Sequence, residues 1–94
     1  SLDALVPAAD EDHYAAIRQA LQPLLAVLPP LSGKAMQEME HFTCLCAAHM
    51  SGGLASSCDW AILLWLLPLT AENPSLREVL RPLLEEYSMA SACL

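Results

Sequence analysis

Positive charge is what this chain has least of: four Lys and Arg stand against eleven Asp and Glu, giving a formal charge of −7 over 94 residues. The basic residues Arg18, Lys34, Arg77 and Arg81 are scattered singly along the sequence. Nucleic-acid binding by counterion release needs a clustered basic surface, and attraction to an anionic membrane needs the same. Neither is expected here, whereas a basic protein face is an allowed partner. Charge of either sign is scarce, at 16% of residues where about 25% is usual in soluble domains. Glycine numbers three, and no Gly-rich phosphate loop can be drawn from them. No Ser or Cys stands with a base in a recognisable nucleophile motif, and no close carboxylate pair lies outside helix ends. The histidines His13, His41 and His49 form no catalytic constellation with them. An enzyme is not expected, nor is a cofactor.

Long hydrophobic runs are also missing. The longest stretch without a charge or a polar side chain other than indole is Trp60–Leu69, Trp-Ala-Ile-Leu-Leu-Trp-Leu-Leu-Pro-Leu, and a bilayer span needs about 20 apolar residues. The expectation is no membrane span. There is no basic-then-apolar leader at the N-terminus, and Ser1, with no Met before it, suggests a single domain over 1–94 excised from a larger protein, with 1–10 as an N-terminal arm. No stretch alternates with period two for long enough to form a strand.

What is present is apolar and helical. Hydrophobic residues make up 55% of the chain, against about 45–50% in typical soluble domains. A chain of this length buries only about 60–65% of the surface its unfolded form exposes, so a solitary monomer has too little polar surface to cover itself. Helix one is marked by the stripe Tyr14, Ile17, Leu21, Leu24 and Leu28, with Arg18, Gln19 and Gln22 off it. Asp10, Glu11 and Asp12 sit where it starts, facing the positive end of the helix dipole, and Pro29 and Pro30 end it. Ser32 is the expected N-cap of helix two, whose stripe is Ala35, Met39, Phe42, Cys46 and His49, flanked by Met36 and Met50 and closed by Ser51, Gly52 and Gly53. Helix three is the apolar run, started by Ser57 or Asp59 and stopped near Pro68. Asn73 and Pro74 head helix four, with Ser75 and Glu78 as a competing capping box and Leu76, Val79, Leu80, Leu83 and Tyr87 as its stripe.

These elements predict an all-α fold, a compact bundle of about four helices arranged as two antiparallel hairpins. An alternative comes from Ile17–Leu25 and Leu76–Leu84, which are identical at five of nine positions. A true repeat would make helices one and four equivalent, with Pro23 and Pro82 bending each, as in a short HEAT-like solenoid fragment.

Several motifs have two readings. Three segments match Leu-x-x-Leu-Leu, at Leu21–Leu25, Leu63–Leu67 and Leu80–Leu84, and resemble coactivator boxes; as helix segments they are ordinary core stripe. His41, Cys44, Cys46 and His49 have a zinc-like spacing, but on one continuous helix the two His/Cys pairs fall on different sides and cannot converge tetrahedrally. No metal is expected. Cys44, Cys46, Cys58 and Cys93 lie in apolar surroundings and read as reduced thiols in an intracellular protein, cytoplasmic or nuclear. The two indoles of helix three, five residues apart, point about 140° from one another, so opposite sides of that helix seek cover. The functional expectation is a non-enzymatic interaction or oligomerisation domain, binding a protein partner or a second copy through Trp60, Leu63, Leu64, Trp65, Leu67, Met36 and Met39. Its alternative is a helical carrier with a methionine- and leucine-lined cavity for a small apolar ligand or lipid.

Overall fold

The structure is a computed structural model that describes residues 11–94. Among these the chain is all-α, with five α-helices and no strand. Helix α1 is Glu11–Leu25, α2 is Gly33–His49 and α3 is Gly53–Ala61. From there α3 runs into a wide π-helical stretch, Ile62–Leu66, and a tight 3-10 turn, Leu67–Thr70. Helix α4 is Pro74–Leu80, tightening into a 3-10 turn at Arg81–Leu84, and α5 is Ser88–Ala92. The expected arm 1–10, with Asp10, lies outside the described residues.

The stripe read for helix one is the buried one: Ile17 and Leu21 are fully enclosed, Leu24 and Leu28 are buried, and Tyr14 is half-buried. Enclosing each such aliphatic side chain contributes about 1.5–3 kcal/mol, which is why this face of α1 is seated on its neighbours. Helix α2 begins as expected, with the Ser32 hydroxyl accepting from the Ala35 N–H at 3.1 Å. Its buried face, however, is Met39, Glu40, Thr43 and Cys44, rotated from the expected stripe, of which Met39 is buried, Ala35, Phe42 and Cys46 are half-buried and His49 is exposed. The polar members of that face explain the difference. Thr43 is buried because its hydroxyl donates to the Met39 carbonyl at 2.6 Å, and Glu40 is buried against Arg18, whose Nε lies 2.9 Å from its carboxylate; a satisfied polar group can lie inside.

The turn after α2 spans Met50–Gly53, closed by the Gly53 N–H on the Met50 carbonyl at 3.1 Å. Gly53 has a φ of 61°, a left-handed value that side chains with a Cβ resist. This short link makes α2 and α3 the most closely packed pair, with α1 lying against both. Helix α3 starts at Gly53, ahead of the expected Ser57 or Asp59, and both of those residues are buried in mid-helix. Pro68 does not stop it either. A proline ring in a helix crowds the carbonyl four residues back and offers no N–H, and here the preceding turn widens instead of ending, so that the Leu67 N–H reaches back five residues to the Ile62 carbonyl. Ile62 and Leu66, at the two ends of this wide stretch, are both fully buried.

Asn73 caps α4, its side-chain oxygen accepting from the Leu76 N–H at 3.1 Å, with Pro74 as the first helical residue. The competing Ser75–Glu78 box is not made, since Glu78 pairs with Arg81 at 3.1 Å. Leu80, Leu84 and Tyr87 are buried, whereas Val79, expected on the stripe, is 50% exposed. The two repeat-like segments differ in conformation: Ile17–Leu25 is continuous α-helix around Pro23, and Leu76–Leu84 breaks into a 3-10 turn at Arg81. All three Leu-x-x-Leu-Leu segments face the core, with Leu21, Leu24, Leu66, Leu67, Leu80 and Leu84 buried.

Helix α5 is held by a residue far away in sequence. The Asp59 carboxylate, 6% exposed, accepts from the Met89 N–H at 2.9 Å and the Ala90 N–H at 2.8 Å. These are orphan donors of the first turn of α5, so Asp59 caps a helix 30 residues downstream. Asp59→Ala is expected to lower unfolding free energy by about 1–3 kcal/mol and to speed amide exchange at Met89 and Ala90 while α2 keeps its protection. Hydrogen exchange with denaturant titration checks this; unchanged exchange in α5 would remove Asp59 as its anchor.

Candidate interaction surface

The residues expected to meet a partner divide into three groups. Trp60 is 37% exposed and Leu64 is 49% exposed; four residues apart, they lie on one outer face of the α3 run. Leu63, Trp65 and Met36 are half-buried and pack against the core from its edge. Met39 and Leu67 are 1% and 7% exposed, which corrects their assignment: a side chain filling the core has no surface to offer. The two tryptophans thus differ in their surroundings. Trp65 packs on Phe42 of α2, with ring centroids 5.0 Å apart at 53°, and Trp60 looks outward.

No charge interrupts this outer face. Between Gly53 and Thr70 the single charged residue is Asp59, and its carboxylate is turned inward to α5. The polar residues Ser57 and Thr70 are likewise turned in, their hydroxyls donating to the Leu54 carbonyl at 3.0 Å and the Leu67 carbonyl at 2.7 Å. Trp60 and Leu64 are therefore presented on a helix whose carboxylate and the hydroxyls of Ser57 and Thr70 are used internally, with the half-buried Ser56 one turn before Trp60.

The helical run is longer than the ten apolar residues suggested. Gly53–Thr70 spans 18 residues with a mean hydropathy of 1.3, long and apolar enough by length and composition to cross a bilayer. Length alone therefore does not exclude a span here, contrary to the expectation from Trp60–Leu69. In this fold 44% of that stretch is buried inside the protein, and its one carboxylate caps another helix.

A cleft opens on another side of α3. Ala20 of α1, Leu54, Ala55 and Cys58 of α3, and Glu86 with Tyr87 line a space of about 340 Å³. Its walls are alanine, leucine, cysteine and tyrosine with one glutamate, Glu86, and no methionine, unlike the methionine- and leucine-lined cavity expected. The four cysteines form no disulfide; Cys44 and Cys58 are buried, Cys46 is half-buried and Cys93 is exposed. Continuous α2 carries His41, Cys44, Cys46 and His49 around its circumference, and among the described residues no three His, Cys, Asp or Glu are grouped to hold a metal ion.

No protein-family model matches this chain, and neither a curated protein nor a solved structure matches it.

The cleft wall has an alkaline limit. Burial pushes the Cys58 thiol from its ordinary 9.0 up to about 11. Burial also raises the Tyr87 phenol, helped by negative charge at Cys58, Glu86 and Asp59. Both groups are neutral in the folded protein at neutral pH. A folded-state value above the unfolded one means that the stabilisation is whole below the unfolded value and is lost as pH rises through the folded one. Unfolding free energy should therefore hold level up to about pH 9 and fall as pH rises toward about 11. Cys58→Ala is expected to flatten part of that fall in urea titrations at stepped pH; an unchanged fall would remove Cys58 as a source of it.

Proposed function

We propose that this chain is a non-enzymatic interaction module that docks through the outer face of α3, with a second copy of itself as the simplest partner. The observation that supports it is the pair Trp60 and Leu64, exposed one turn apart on a helix whose only charge is turned inward. Interface energy concentrates in a few aromatic and apolar anchors surrounded by a polar rim, and Trp60 has the size for that role. A stable interface covers about 800 Å² per partner, roughly one-seventh of the 5546 Å² this chain exposes. Trp60 and Leu64 are thus the centre of the contact, with Leu63 and Trp65 at its edge. A twofold arrangement lets each copy cover the other with the same patch. Thiols at Cys44, Cys46, Cys58 and Cys93 accord with a reducing, intracellular setting.

Sedimentation equilibrium over a wide concentration range tests this reading. A reversible dimer is expected, with dissociation raised at least about 30-fold in Trp60→Ala, the effect of removing an anchor of about 2 kcal/mol, while far-UV circular dichroism is unchanged. A monomer at every concentration, or a folded variant that dimerises as well as the parent, would overturn it.

A second reading, a carrier of a small apolar ligand, is supported by the Ala20, Leu54, Ala55, Cys58 and Tyr87 cleft, whose volume of about 340 Å³ is within the range of ligand pockets, roughly 300–1,000 Å³. Native mass spectrometry of the purified chain is then expected to show a discrete added mass that Ala55→Trp removes by filling the space. The bare mass for both proteins would dismiss the carrier.

A further inference from the structure

A second cleft, of about 290 Å³, lies between α1 and α2 and is lined by Tyr14, Arg18, Gln37, Glu40 and His41. Tyr14 and Arg18 share one face of α1, four residues apart, and Gln37 and His41 share one face of α2 in the same way. The Tyr14 ring meets the His41 ring edge-on at 5.9 Å, and the Arg18 guanidinium carbon sits 5.8 Å from the Tyr14 ring centre.

At the floor of this cleft is an ion pair joined by one hydrogen bond. Arg18 Nε donates to Glu40 Oε2 at 2.9 Å. The Glu40 side chain is 9% exposed and that of Arg18 is 56% exposed. Among the described residues Glu40 Oε1 makes no hydrogen bond, and no fully buried side-chain oxygen lacks a partner. Oε1 is therefore not fully enclosed, and Glu40 lines the cleft. On the other side of the pair, the two terminal nitrogens of Arg18 are not engaged by Glu40. The bond through Nε orients the guanidinium while leaving its fork available, which suits a carboxylate.

We propose that this cleft binds a small zwitterion of the α-amino-acid class, its carboxylate on the Arg18 fork and its ammonium on Glu40 Oε1. A lone anion placed here meets the charge of Glu40, and a lone cation meets that of Arg18. A molecule carrying both signs a few ångströms apart satisfies the two together and leaves no buried charge without a partner. The Gln37 amide supplies a further donor and acceptor at the wall. This site uses no residue of the α3 outer face, so it is independent of the docking reading.

The test is a titration of the full chain with glycine and L-alanine, followed in ¹H–¹⁵N correlation spectra. Acetate and methylammonium serve as the two halves of the ligand. Saturable shifts at Gln37, Glu40 and His41 are expected with either amino acid, with a dissociation constant on the order of 1 mM for so small a ligand. Each half should bind at least about tenfold more weakly, since it meets a like charge and leaves the second group of the ion pair without a ligand partner. Arg18→Lys retains the charge but loses the fork, and Glu40→Gln loses the ammonium partner; each should weaken binding about tenfold or more. Arg18 is exposed enough for its variant to keep the fold, as far-UV circular dichroism would verify, and that variant suffices if Glu40→Gln unfolds. Acetate or methylammonium binding as well as glycine would mark a simple ion site and overturn the proposal, as would the absence of saturable shifts. Undiminished binding in Arg18→Lys would also overturn it.

Discussion

The inward turn of Asp59 is the constraint on which the rest of this structure depends. Helix α3 is apolar on nearly every side and carries one carboxylate. Burying that group is tolerable only because two backbone N–H groups of α5 meet it, at 2.9 and 2.8 Å. The bond pulls the C-terminal helix onto α3 and brings Tyr87 against Cys58, which builds one wall of the larger cleft. It also empties the outer face of α3 of charge. One interaction thus closes the C-terminal end of the core, and on the outer side of the same helical run Trp60 and Leu64 are the large apolar side chains left exposed among the described residues.

Helix α1 separates the two clefts. Its buried stripe, Ile17, Leu21 and Leu24, holds it on α2 and α3, and its flanks border two chemically different spaces. Ala20 faces an apolar cleft with Cys58 and Tyr87, and Tyr14 with Arg18 faces a polar one with Glu40 and His41. The chain's scarcity of cations gives Arg18 weight here, because a single guanidinium oriented by a buried acid defines the charge pattern of that whole cleft.

What could be read from the residues depended on how local the cause was. The all-α class and the α1 stripe follow from periodicity within one segment, as do the Ser32 and Asn73 caps. The buried face of α2 did not, since Glu40 lies inside only because Arg18, 22 residues away, satisfies it, and apolar spacing is blind to such a pair. Helix α3 was misjudged at both ends for related reasons. Ser57 and Asp59 have the chemistry of N-caps, but Ser57 bonds back to Leu54 and Asp59 caps a different helix. Pro68 has the chemistry of a stop, but the backbone before it had room to widen. Of the expected contact residues on the apolar run, Trp60 and Leu64 are exposed and Leu67 is buried, a distinction that the helical wheel alone could not draw once every side of the helix was apolar; Met39 of α2 is buried on the stripe read for that helix.

The wide turn at Ile62–Leu66 has an optical consequence. It contains Trp65, which rests on Phe42 at 5.0 Å, while Trp60, just before it, is 37% exposed. These are the chain's two indoles, and they differ in polarity and in quenching environment. The protein therefore carries two built-in fluorophores, one reporting on the interior and one on the surface. Red-edge excitation and collisional quenching address the surface indole, and energy transfer from the tyrosines weights the two differently. Unlabelled protein can in this way report events at its outer helix face separately from events in its core.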